Sequence, residues 1–202
     1  MVDFPKSKWL NNWGIDKLNA QYIDNLIKNI KPEIILETGT FEAQATYVMA
    51  QAANSNNNGC VIYTIDYDGD PTSERPIEEW LLLKKLRNEN LTKIKINFKN
   101  VTVKFIEGDS RIVLKELFTN EKIEKVDLFL QDSMHFIEGI QSEWNLVENY
   151  IKTGSYTIFD DVKLKGVQAF KKWFMRKYGD KYQYFHENYG HKQFVVKKLL
   201  ID

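Results

Sequence analysis

The sequence predicts an α/β protein: a doubly wound, mostly parallel sheet of seven strands, helices on both faces, and an antiparallel hairpin at the C-terminal end. Three observations predict it. Short apolar runs alternate with amphipathic segments about five times along the chain, the pattern of parallel strands joined by helical crossovers. Two of the runs, Val126-Asp-Leu-Phe-Leu-Gln131 and Tyr156-Thr-Ile-Phe159, end in carboxylates, where open α/β sheets bind ligands. The last stretch holds two strand-like runs, Tyr182 to Phe185 and Gln193 to Leu200, joined by Asn188-Tyr-Gly190-His like a hairpin.

Ile15, Leu18, Tyr22, Leu26 and Ile30 recur at helical spacing, so the chain opens on a helix with one apolar face, closed by Pro32. Glu33-Ile-Ile-Leu-Glu37 is a short buried strand. Thr38-Gly39-Thr40-Phe41 turns it into a second helix, Glu42 to about Ala53, and the turn formers Asn54 to Gly59 lead to strand Cys60–Ile65, ending at Asp66. Tyr67 to Pro76 is long and polar for a strand-to-helix connection, a length that goes with function or mobility. Pro76-Ile-Glu-Glu-Trp80 then starts a helix, with Pro in the first turn and acids at the positive end of the dipole.

Val101 to Ile106 reads as a half-exposed strand ending in Glu107-Gly108-Asp109-Ser110, followed by a helix over Ile112 to Phe118. After the strand at 126–131, Ile137, Ile140, Trp144, Val147 and Ile151 mark another amphipathic helix, which Gly154 ends. Strand 155–159 follows, then a helix with Val167, Phe170, Phe174 and Tyr178 on one face. No repeat or linker interrupts this order. Residues 1–202 therefore read as one domain, with 1–32 an N-terminal helical segment that, with the 67–76 loop, could cover a substrate.

The chain has 202 residues, enough for one sizeable core. Its 28 basic and 28 acidic side chains give a net charge of zero and no general drive toward nucleic acid or anionic membrane. Lys93, Lys95, Lys99 and Lys104 cluster locally and read as a solvated face. No segment approaches the roughly 18 apolar residues of a membrane span. The lone Cys60 rules out an intramolecular disulfide and a cysteine-based metal site. A buried thiol and no signal-like N-terminus make a cytoplasmic setting the expectation.

The chemistry-bearing residues gather at strand ends. Gly39 permits a tight turn and close backbone approach to a ligand. Asp66 could accept hydrogen bonds from ribose hydroxyls or cap a helix. Asp109 and Ser110 could cap the next helix or recognise a base. Asp132, Asp160 and Asp161 form the strongest constellation: carboxylates brought together repel unless a cation or donor sits between them, and oxygen ligands suit Mg2+, Ca2+ or Mn2+ rather than Zn2+. His135 follows at the crevice mouth, with an imidazole that titrates near neutral pH. His186, His191, Trp9 and Trp13 carry no comparable signal; the two tryptophans read as packing residues or a lid.

Taken in order, these pieces resemble the class I S-adenosylmethionine (SAM)-dependent methyltransferases, with their Rossmann-like fold. Glu37-Thr-Gly39 matches the acid–x–Gly turn, Asp66 the second-strand acid, Gly108-Asp109-Ser110 the third-strand motif and Asp132 the fourth-strand end. Asp132-Ser-Met-His135-Phe-Ile-Glu138-Gly and Phe159-Asp160-Asp161-Val162 are similar to the metal-dependent small-molecule O-methyltransferases, of the catechol and macrolide-sugar types. The resemblance implies that Glu37, Gly39 and Thr40 line the methionine and ribose end of the cofactor. Asp66, with Tyr67 beside it, holds the ribose. Gly108, Asp109 and Ser110 flank the adenine. Asp132, Asp160 and Asp161 ligate the metal, and His135 or Asp132 takes the proton from a small-molecule hydroxyl. The second motif glycine is replaced by Ala43, and a serine that contacts the cofactor in catechol-type enzymes by Ala45, leaving Gln44 or Thr46 to substitute. No Asn/Asp-Pro-Pro-Tyr/Phe tetrapeptide of the kind that serves base methylation is present, so nucleic acid is not the expected partner. A homo-oligomer is compatible with the sequence. Two other readings stay open: a cofactor-binding protein without catalysis, and a metal-dependent hydrolase on the same carboxylates.

Overall fold

Strands β1 (Ile34–Thr38), β2 (Cys60–Asp66), β3 (Val101–Glu107), β4 (Val126–Gln131), β5 (Ile151–Phe159), β6 (Tyr182–Phe185) and β7 (Phe194–Lys198) form one sheet in the order β3-β2-β1-β4-β5-β7-β6. This computed structural model describes residues 15–67, 76–185 and 193–200. The pairs from β3 through β5 are parallel; β7 runs antiparallel to both β5 and β6. The expected α/β class and closing antiparallel pair are therefore observed.

Among the described residues six helices cover the sheet: α1 (Lys17–Ile30), α2 (Gln44–Asn56), α3 (Ile77–Asn97), α4 (Ser110–Asn120), α5 (Ile137–Val147) and α6 (Lys165–Tyr178). On one face Leu114 of α4, Trp144 of α5 and Phe170 and Phe174 of α6 pack on Phe129 and Phe159. On the other, Ile23 and Ile27 of α1, Val48 and Met49 of α2 and Ile94 of α3 pack on Ile35, Ile62 and Leu128. Both faces of the central strands are thus apolar, which is why these strands read as continuous hydrophobic runs. Cys60 is buried among them, its thiol pushed up to about 12 by burial. Among the described residues no helix is long and apolar enough to cross a membrane.

The strand order reverses between β1 and β4, and a crevice opens there at the C-terminal strand ends. One backbone bond beyond each strand keeps those ends together. Gly39 N donates to Ile65 O at 2.8 Å, Gly108 N to Asp66 O at 2.8 Å, Asp132 N to Thr38 O at 2.8 Å and Asp160 N to Gln131 O at 3.0 Å. The residues that carry polar chemistry are therefore laid side by side by the sheet itself.

The expectation fails at one junction. Ile151 was expected on the apolar face of α5 with Gly154 as its end, but α5 stops at Val147 and Ile151 begins β5. Exposed Lys152, Thr153 and Gly154 loop out where the register against β4 jumps from Val126–Ile151 to Leu128–Tyr156, and Gly154 takes a left-handed φ of 85°. A bulge with an apolar residue at helical phase imitates one more helical turn. Smaller shifts follow from local geometry. The second helix starts at Gln44 rather than Glu42, because Phe41 and Ala43 both adopt left-handed φ of 48° and 59°. The fourth starts at Ser110, capped by Asp109. Lys104 of the basic cluster pairs with Glu121 at 2.6 Å.

Candidate active site

The ends of β4 and β5 build one side of the crevice. Asp132 follows β4, and Asp160 and Asp161 follow β5. One ligand atom each from Asp132, His135 and Asp161 lie within 4.8 Å of one another. His135 Nε2 is 3.4 Å from Asp161 Oδ2 and 3.7 Å from Asp132 Oδ1. Asp161 holds a left-handed φ of 51°, which Asp tolerates better than most residues. Behind the loop, Gly166 in the first turn of α6 has no room for a side chain: a Cβ there would fall 2.1 Å from His135 O.

Of the three carboxylates expected around a cation, Asp132 and Asp161 lie in this group. Asp160 lies beside it, and His135, expected as the base, is the third member. Asp160 Oδ1 is buried without a hydrogen-bond partner among the described residues. Burial first, then the charges of Asp132 and Asp161, raises its carboxyl well above the usual range, against a hydrogen bond with the Gln193 side chain.

The ends of β1, β2 and β3 build the other side. Asp66 Oδ2 accepts from Phe41 N at 2.6 Å and from Arg87 Nη1 at 3.4 Å; its Oδ1 accepts from Tyr67 N at 2.8 Å. Arg87 lies buried on α3 with its guanidinium 4.5 Å from the Phe105 ring centroid. Asp109 caps α4 through Arg111 N at 2.9 Å and is gripped by the Arg111 guanidinium, which holds its carboxyl below the ordinary value. Ser110 donates to Glu143 of α5. Thr40 is buried, its hydroxyl 2.5 Å from that of Thr64.

Glu37 lies off the cleft wall. It is buried behind the β1–α2 turn, where Thr46 donates to it at 2.6 Å, and burial raises its carboxyl to about 7. Thr46 is therefore engaged with Glu37, while Gln44 and Ala45 line the cleft. Ala43, at the place of the missing glycine, sits in the backbone region that glycine enters freely and alanine enters under strain.

Gly39, Thr40, Asp66, Tyr67, Gly108, Asp109, Ser110, Asp132, His135, Asp160 and Asp161 all line a single cleft of about 1290 Å3. That exceeds the roughly 300–1,000 Å3 of a pocket for one small ligand. Its wall carries the acids Asp16, Glu42, Asp66, Asp109, Asp132, Asp160 and Asp161, while its guanidinium, Arg111, already pairs with Asp109. Such a wall favours cationic ligands. Trp9, Trp13, His186, His191, residues 1–14 and most of the 67–76 loop lie outside the described residues.

Sequence reasoning missed Arg87, Glu143 and Gln193. The first two had a readable signal: Arg87 stands at helical spacing from Leu83 and Ile94, and Glu143 between Ile140 and Val147, on buried helix faces. Gln193, beside the hairpin, had none.

Compared with known proteins, residues 36–162 match the family model described as a methyltransferase domain. No curated protein matches the sequence. Among solved structures, the O-methyltransferase TomG from Streptomyces achromogenes, involved in tomaymycin synthesis and solved with SAM, superposes with a TM-score of 0.68 at 14% identity, over 94% of this chain and 83% of that one. An O-methyltransferase from Bacillus cereus in complex with SAH gives 0.66 at 16% identity, over 93% and 83%. CalS11, a TDP-rhamnose 3'-O-methyltransferase of calicheamicin biosynthesis, gives 0.64 at 16% identity, over 89% and 78%. At these identities the likeness is one of fold.

Proposed function

The chain belongs to the methyltransferase-domain family, and from that premise we propose that it transfers a methyl group from SAM to a hydroxyl oxygen of a small molecule, with a divalent cation on the acceptor side. One observation carries the reading: a single acidic cleft, larger than a pocket for one small ligand, has the Gly39, Asp66 and Ser110 strand ends on one side and Asp132, His135 and Asp161 on the other. SAM supplies an electrophilic methyl on a sulfonium, whose positive charge suits this wall. A hard cation suits the carboxylate oxygens of Asp132 and Asp161 and the unpartnered Asp160 Oδ1. It would supply a template and a lowered hydroxyl pKa.

The protein's part is alignment and proton transfer. Asp66, fixed by Phe41 N, Tyr67 N and Arg87, faces the ribose position; Gly39, Thr40 and Gly108 shape the turns on that side; Asp109 and Ser110 flank the adenine. Glu37 acts from behind the turn. His135, whose Nε2 lies 3.4 Å from Asp161 Oδ2 and 3.7 Å from Asp132 Oδ1, takes the proton from the acceptor hydroxyl. Asp132 is the alternative base. A cytoplasmic setting goes with this reading, supported by the single buried thiol.

A second reading, cofactor binding without catalysis, draws on strained Ala43 and on Ala45 in place of a hydroxyl. Calorimetry with SAM and S-adenosylhomocysteine (SAH), with and without Mg2+, followed by a screen of polyhydroxylated acceptors, tests both. The expected result is cofactor binding and Mg2+-dependent methyl transfer; no binding of either cofactor form removes both readings.

A further inference from the structure

Glu143 has no task in the reaction as described, yet it is completely buried at the centre of the site's polar framework. An ionised carboxylate has about four lone-pair positions, and four donors meet them. Oε1 accepts from the hydroxyls of Ser110 and Ser133, the latter at 2.6 Å. Oε2 accepts from Gln131 Nε2 at 3.0 Å and Thr38 Oγ1 at 3.3 Å. Burial raises the carboxyl, and these donors oppose the rise. Four donors around four acceptor positions match the ionised form.

Gln131 shows how strongly this carboxylate dictates its surroundings. Its Nε2 donates to Glu143, to Met134 O at 2.9 Å and, more weakly, to Ser133 Oγ at 3.5 Å, while its Oε1 stays buried without a partner among the described residues. An unpaired buried carbonyl is costly. Turning the amide would set that carbonyl against the carboxylate.

The same constraint reaches the cleft. A serine hydroxyl has one proton and two lone pairs. Ser110 and Ser133 both direct their protons to the same Glu143 oxygen, so they stand side by side, and both line the cleft. What they have left for a ligand is lone pairs, one of which on Ser133 is shared with Gln131 Nε2 at 3.5 Å.

We propose that Glu143 is a positioning residue that makes this wall accept hydrogen bonds and not give them, so that Ser110 and Ser133 select a base with an exocyclic amine over one with an oxo group at the same place. The inference rests on the reading of the cleft as a SAM site, with the adenine beside Ser110.

The test is calorimetric binding of SAH and its 6-oxo analogue, S-inosylhomocysteine, to the wild-type chain and to Glu143→Gln, Ser110→Ala and Ser133→Ala. The wild type prefers the amine by about tenfold or more, the size of a misplaced buried hydrogen bond. In Glu143→Gln the new amide NH2 donates to the serines, their protons turn toward the ligand, and the preference shrinks to within about threefold. At least one serine variant narrows it as well. A wild type without preference overturns the proposal, as does an undiminished preference in Glu143→Gln. Should that variant not fold, the serine variants decide, and an undiminished preference in both overturns it. No binding of either compound by the wild type removes the SAM reading itself.

Discussion

Gly39 and the backbone of Asp132 touch so closely that a Cβ on Gly39 would lie 2.1 Å from the Asp132 carbonyl oxygen and 2.9 Å from Ser133 N. The glycine stands at φ 92°, where an L side chain is strained whatever the space. The contact joins the β1 turn, on the proposed cofactor side, to the start of the loop that carries Asp132 and His135, on the proposed acceptor side. Gly39→Ala is therefore expected to destabilise the fold by about 3 kcal/mol or more, since strain and overlap with unyielding backbone add. It should also weaken SAH and cation binding together. Urea denaturation and calorimetry measure the two effects; a wild-type midpoint would refute the contact.

Glu37 gives stability a pH dependence of defined sign. Its folded carboxyl is raised from 4.5 to about 7 by burial. The folded state thus holds the proton more tightly than the unfolded chain. The contribution is fully present below the unfolded value and is lost as pH rises toward about 7, by roughly 3 kcal/mol in all. Above that it stays flat. Glu143 and Asp160 shift in the same direction, so the wild-type slope alone does not isolate Glu37. The difference between wild type and Glu37→Gln does: the gap in unfolding free energy should change between pH 4.5 and 7 and be constant above. A gap independent of pH would mean that Glu37 is not held neutral by burial.

The sheet was legible because Ile34–Leu36, Cys60–Ile65 and Val126–Leu130 are mostly buried and mostly apolar, Thr64 and Asp127 being the polar exceptions, and because Gly39, Asp66, Asp109 and Asp132 close their strands with residues that suit turns and ligands. The β5 bulge was not, since Ile151 falls at the phase of the helix before it. Within the site, strand ends advertise themselves by an abrupt change from apolar to charged residues. Glu143 and Arg87 make no such change: helical spacing marks each as buried, but the partners that give it a role are Ser110, Ser133 and Gln131 in one case and Asp66 and Phe105 in the other. Those partners come from other elements and meet only after folding.

Asp161 and His135 are separable by what their loss removes. Asp161→Asn deletes a charged oxygen ligand and should weaken Mn2+ or Mg2+ binding by about tenfold or more. His135→Gln, if His135 acts as base, should leave cation affinity within about threefold and lower turnover about a hundredfold or more. Manganese titration followed by paramagnetic resonance reads the first quantity, and methyl transfer to a responsive acceptor the second. Loss of cation affinity in both variants would make His135 a ligand and pass the proton to Asp132.

Gly166 offers a case in which two effects of known size oppose each other. It occupies the first turn of α6, where alanine would favour the helix by at most about 1 kcal/mol. A Cβ there, however, meets His135 O at 2.1 Å and Phe136 Cα at 2.7 Å. These are backbone atoms, so no side-chain rotation relieves the overlap, and overpacking of this kind costs about 1–3 kcal/mol. The loop between β4 and α5 cannot retreat freely, because Gln131 Nε2 holds Met134 O at 2.9 Å and Ser133 is bonded to Glu143 at 2.6 Å. The clash should win. Gly166→Ala is expected to lower stability by about 1–2 kcal/mol and to lower turnover more than SAH affinity, because the displaced residues are His135 and its neighbour and not the strand ends on the cofactor side. Denaturation midpoints and the ratio of turnover to SAH affinity decide it. A stabilised variant with wild-type turnover would show that α6 does not press on the His135 loop.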